Sequence, residues 1–194
     1  STMSSMMTSG NFGQLLPGTD DELVGSAIRD SYDLLYGSWP QNYDEVVLIL
    51  DRNNEIEQTT LYELGLLPSA DYTAMMKSFS NGEKLETESV RWSYAEACKQ
   101  KFYLLAACDQ YTENEDGTYR FAAETAADVE NLLDRAIELK IVGVVRPQSD
   151  QAAGYVMNPV GYTQALTDYL IAHTDESAVV TAQRESAEKN ILSG

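Results

Sequence analysis

The chain has 194 residues, and 13 Lys plus Arg against 31 Asp plus Glu give a formal charge of −18. That length suits one domain or two small lobes, and a 43% hydrophobic content supplies a core, so global disorder is excluded. A pI near 4.2 excludes a broad grip on nucleic-acid phosphates or anionic headgroups, and no apolar run approaches the ~18–20 residues of a membrane crossing.

Residues 1–18 begin STMSSMMTSG, lack the basic start and apolar stretch of a secretory signal, and predict a flexible linker. Met3, Met6 and Met7 are soft enough for copper, but thioether sites usually recur in several clusters, so the linker reading is preferred. Residues 19–194 predict an α+β domain, with a possible subdomain around 55–135. Asp20 is placed to cap a helix running to Arg29. Val46–Leu50, apolar throughout and bounded by charged residues, predicts a strand covered on both faces. Thr59 or Thr60 caps Leu61–Leu64, which Gly65 stops. Tyr72, Met75, Met76 and Phe79 form one helical stripe, read as core.

Ser93 caps a short helix over Tyr94–Cys98, and Lys101–Cys108 reads as a strand. The turn Glu115–Thr118 leads into Tyr119–Phe121, which predicts a hairpin. The 3.6-residue period over Thr125–Leu139 predicts a helix running into a strand over Leu139–Val145, ended by Pro147. A loop over Gln148–Pro159 then precedes a helix over Thr163–Ala172 and another from Asp175 or Ser177 toward Ala187.

Few motifs in the chain carry chemistry. His173 is the only histidine; it comes with no GxSxG elbow, no HExxH and no paired cysteines, so a serine hydrolase or a zinc site of the usual kind is not expected. A histidine near a helix C-terminus is favourable to the dipole in any case. No Walker loop and no GxGxxG is present among the 12 glycines. Thr112, Asn114, Asp116 and Gly117 imitate part of an EF-hand loop, but Thr stands at its first position and Ala123 at its twelfth, so a hairpin turn is preferred. A weak calcium site using Asp109, Glu115 and Asp116 stays open, as does bridging of Cys98 with Cys108 against two separate buried thiols. No catalytic, cofactor-binding or metal-ligating residue is assigned.

Three segments in order carry a resemblance. They are Leu35–Leu50, with its turn at Pro40 and apolar run after Glu45; Ser93–Leu105; and Leu139–Pro147, which contains Val142-Gly143-Val144. Together with Gly161–Leu170 they resemble the extracellular domain of FtsX-like, MacB-type ABC-transporter permeases, in the form found in Gram-positive gut bacteria. The resemblance implies a small mixed sheet with helices packed on it, held on the extracellular face of the cytoplasmic membrane. It implies a non-catalytic domain that couples ATP hydrolysis to export or to handling of a peptide, antibiotic or lipid-linked substrate. The implied partners are membrane helices of the same permease, its cytoplasmic ATPase domain and a second permease copy, with no nucleic acid and no cofactor. Within the strand, Gly143 is expected to admit close approach of another backbone. The alternatives are a secreted peptide- or glycan-binding module exposing Trp39, Trp92 and tyrosines on one face, and a hydrolase with an unrecognised acidic pair.

Overall fold

Alternation along Val46–Leu50 sends Val46, Leu48 and Leu50 into one apolar cluster and Val47 and Ile49 into another. A computed structural model describes residues 10–67, 77, 91–122, 132 and 134–193. It is a mixed α+β structure built on strand β3 (Glu45–Ile49) and its parallel neighbour β7 (Ile137–Pro147). The main sheet runs β1 (Phe12–Gln14), β8 (Val160–Tyr162), β3, β7, β2 (Tyr32–Gly37), with β4 (Lys101–Leu104) also on β7. At 11 residues, β7 is long enough to pair Ile137–Lys140 with β4 and Gly143–Pro147 with β2.

The glycine expectation holds. Gly143 lies opposite Gly37, and a Cβ on Gly143 would collide with the Ser38 carbonyl oxygen. The β3–β7 register shifts between Val46 and Val47, which face Ile141 and Gly143. That irregularity changes the phase of β7: Leu139, Ile141 and Val144 enter the first cluster and Val145 the second.

Helices cover the first cluster. Leu61 of α2 (Gln58–Glu63), Ala97 of α3 (Tyr94–Ala97) and Leu166 of α5 (Gln164–Asp175) pack there with Phe102 and Leu139. The second holds Leu15, Val24, Val156 and Ile28 of α1 (Ser26–Arg29) around Tyr32, whose hydroxyl donates to the Ala152 carbonyl at 2.8 Å in α4 (Asp150–Ala153). A smaller sheet orders β5 (Tyr111–Glu113), β6 (Tyr119–Phe121) and β9 (Leu192–Ser193). Helix α6 (Ala178–Glu185) follows α5, with Ser177 as its N-cap as expected.

Several elements differ from the sequence reading. Residues 12–15 are not linker: β1 pairs in parallel with β8, and Leu15 is buried. Asp20 caps no helix, because it and Asp21 adopt left-handed φ of 56° and 65° inside a turn closed by Gly18 N–H to the Glu22 carbonyl. The strand expected over 101–108 stops at Leu104, where burial of Leu105 beside Ala122 and Leu132 breaks the alternation. Ile137–Leu139, expected as a helix end, is strand, because its backbone pairs with β4. By contrast, Ser93 forms a full capping box with Glu96, and Gly65 ends α2 with φ of 71°. The methionines at 3, 6 and 7, the Tyr72, Met75, Met76 and Phe79 stripe, most of the helix over 125–139, and residues 68–76, 78–90, 123–131 and 133 of the 55–135 subdomain lie outside the described residues.

Candidate functional site

Directly after β4, the chain turns through one 3₁₀ turn, Ala107–Gln110, which buries Cys108 and aims Asp109 at the last turn of α5. The Asp109 N–H donates to the Ala106 carbonyl at 3.0 Å and fixes the turn. His173 sits in that last helical turn, as the dipole argument anticipates, and its Nε2 lies 2.7 Å from Asp109 Oδ2. One residue along on each side, Cys108 Sγ lies 3.8 Å from Thr174 Oγ1. Two neighbouring residues of the turn therefore meet two neighbouring residues of the helix.

Aromatic rings brace the histidine. Tyr169, one helical turn earlier, stacks on His173 with centroids 6.0 Å apart and planes 5° from parallel. Tyr169 also stacks on Tyr43, at 4.2 Å and 9°. Packing removes water from the Tyr169 phenol and, with smaller contributions from Tyr43 and Asp109, raises its pKa above the ordinary value. The row ends at a cavity of about 310 Å³ lined by Cys108, Asp109, Tyr111, Arg135, His173 and Glu176.

The chemistry open to this corner follows from its contacts. Cys108, Asp109 and His173 each present one ligand atom within 4.8 Å of the other two, the one such group among the described residues. A cysteine nucleophile activated by histidine is not assembled, because the polar contact of the thiol is the Thr174 hydroxyl and Asp109 occupies Nε2. The three carboxylates considered for calcium do not converge: Asp109 is held by His173, while Asp116 accepts from the Thr118 N–H at 3.0 Å and from its hydroxyl at 2.6 Å. The segment is instead the hairpin turn, closed by Asn114 N–H to the Thr118 carbonyl, with Gly117 at φ of 79°. Both cysteines are free thiols, and burial pushes the Cys98 pKa up.

A larger groove of about 910 Å³ lies over the first apolar cluster, lined by Leu48, Leu61, Trp92 and Tyr94 with Glu55 and Arg91 at its polar side. Trp92 packs on that cluster and Trp39 on the other, so the two tryptophans do not make one platform. Among the described residues no helix is long and apolar enough to cross a membrane. Sequence reasoning took His173 as a dipole partner and Asp109 as a calcium candidate; their separation of 64 residues hid the pairing. Comparison with known proteins finds no matching family model, no matching curated protein and no matching solved structure.

Proposed function

We propose that the chain is a non-catalytic extracellular domain of an ABC-transporter permease of the FtsX-like, MacB-type kind, transmitting motion of membrane helices to an outer surface. One observation carries the reading: the three separated segments behind the resemblance supply β3, β4 and β7, which lie side by side with β7 in the middle. Pro40 is buried at the turn, and Glu45 accepts from the Gln41 N–H at 2.7 Å, which braces the approach to β3. A mixed sheet with apolar clusters on both faces suits a body that moves as a unit. In this reading ATP is hydrolysed in a separate cytoplasmic domain, and a peptide, antibiotic or lipid-linked molecule is what the permease handles.

The deciding test is the hydropathy of the parent reading frame on both sides of residues 1–194. Apolar runs of ~20 residues on each side, with basic residues at their cytoplasmic ends, are expected. A signal peptide upstream and a stop codon directly downstream overturn the proposal.

A second reading, a secreted peptide- or glycan-binding module, has one observation in its favour: Tyr43 and Tyr169 are stacked and more than a third exposed. Binding in a glycan or peptide screen that disappears in Tyr169→Ala supports it; a blank screen removes it.

A further inference from the structure

We propose that Cys108, Asp109 and His173 form a binding site for a zinc-type divalent cation, a site that does not depend on the permease reading. The donor set is one thiol sulfur, one carboxylate oxygen and one imidazole nitrogen, all within 4.8 Å of one another. Tetrahedral zinc holds such ligands at about 2.0–2.3 Å, which sets neighbouring donor atoms roughly 3.4 Å apart. The cluster therefore needs adjustments of up to about 1.4 Å: Asp109 and His173, now 2.7 Å apart, separate slightly, and the sulfur closes in. Sulfur with nitrogen selects a borderline-soft ion over calcium or magnesium, which prefer all-oxygen shells.

The surroundings resemble those of built metal sites in two respects. Each donor is held by a further contact: Tyr169 stacks on the His173 ring, Thr174 contacts the Cys108 sulfur, and the Asp109 backbone bonds to Ala106. The cluster also faces the 310 Å³ cavity, where a water can take a fourth position. A formal charge of −18 on the chain attracts cations to that opening. On binding, the Cys108 thiol releases its proton to solvent and the thiolate bonds to the metal. Coordination through Nε2 requires the proton now lying between Nε2 and Asp109 to leave, so the ring binds with its remaining proton on Nδ1, the displaced Nε2 proton passing to Nδ1 or to solvent, and the His173–Asp109 hydrogen bond is replaced by two metal bonds. The ion would clamp the turn after β4 to the end of α5, two points joined in this corner by polar side chains.

The test is calorimetric titration of chelator-stripped protein with zinc chloride, alongside cobalt(II) chloride followed by absorption. One zinc per chain is expected, with cobalt giving a thiolate charge-transfer band in the near ultraviolet and the visible bands of a tetrahedral ion. Cys108→Ser and His173→Gln should each weaken zinc binding by more than about tenfold, while Cys98→Ser leaves it unchanged. Absence of saturable zinc binding at micromolar concentration overturns the proposal, as does binding that survives both substitutions within about twofold. The cobalt spectrum is taken on the unaltered chain, so the lack of a thiolate band overturns the proposal even where a variant does not fold.

Discussion

The main sheet and the corner at the end of α5 are held together by different physics. In the main sheet, Val46, Leu139, Val144 and Val145 are almost wholly inaccessible, and both faces are covered by apolar side chains. In the corner, the smaller sheet leaves Phe121 46% and Leu192 40% exposed, and the ties to α5 are polar: Asp109 to His173 and Cys108 to Thr174. Apolar burial tolerates no unpaired charge but demands no particular partner. Polar ties demand specific partners and bring reactive groups together. Stability is thus concentrated in one region and chemistry in the other.

The largest expected effect breaks the first region. Gly143→Val places a branched side chain against the Ser38 carbonyl and the Tyr36 backbone, which cannot withdraw without unpairing β2 from β7. A loss of about 3 kcal/mol or more is expected, read from urea unfolding. A variant that melts within a degree or two of the parent would show that β2 yields there.

A matched pair sharpens the contrast. Leu139→Ala removes a fully buried side chain between β3 and β4 and should cost about 2–5 kcal/mol. Phe121→Ala, on β6, removes a half-exposed ring with an edge contact to Tyr111 at 6.1 Å, and should cost about 1 kcal/mol. Equal losses in the two variants would contradict the division between the regions.

The cap of α3 stands level with the smaller of these. The Ser93 hydroxyl and N–H bind the Glu96 carboxylate at 2.7 and 2.9 Å and hold its pKa below the ordinary range. The folded-state pKa is thus lower than the unfolded one, so this stabilisation is present above the unfolded value and is lost as pH falls through the folded value. Carboxyl chemical shifts of Glu96 should titrate below those of an unperturbed glutamate, and Ser93→Ala, which removes the hydroxyl but keeps the backbone N–H, should move them part of the way back toward the ordinary range. Ser93→Ala should also cost about 1 kcal/mol at neutral pH. A Glu96 titration unchanged by the substitution would mean that the box does not form in solution.

The same division decides what the sequence discloses. β3 is legible because Val46–Leu50 is a local pattern with one physical meaning, and α3 because Ser93 and Glu96 stand at capping-box spacing. β1 and β8 are not, because Phe12–Gln14 and Val160–Tyr162 are three residues each, contain a glycine, and become strands only by pairing with distant chain, β1 with β8 and β8 also with β3. The Cys108–Asp109–His173 corner is hidden for the same reason. Its members lie on a 3₁₀ turn and a helix end, so no spacing rule on one element joins them. The only available signal was that a lone histidine in a last helical turn had to face something.

The smallest prediction concerns the helix that links the two regions, and its sign is opposite. Thr163 is the N-cap of α5, yet its side chain makes no capping bond, and its fully buried Oγ1 has no hydrogen-bond partner among the described residues. The cap is made by the backbone alone, the Thr163 carbonyl accepting from the Leu166 N–H at 3.1 Å. Burying an unpaired hydroxyl is unfavourable, and valine has nearly the same shape without it. Thr163→Val should therefore stabilise the chain by about 1 kcal/mol, raising Tm by roughly 2–4 °C in a protein of this size. The Asp109–His173 contact at the far end of the helix should not respond, because nine residues of intact helix separate the sites and the β-branched shape at the cap is kept. A fall in Tm would mean that the hydroxyl has a partner in solution, and that the start of α5 is held by a polar contact as its end is.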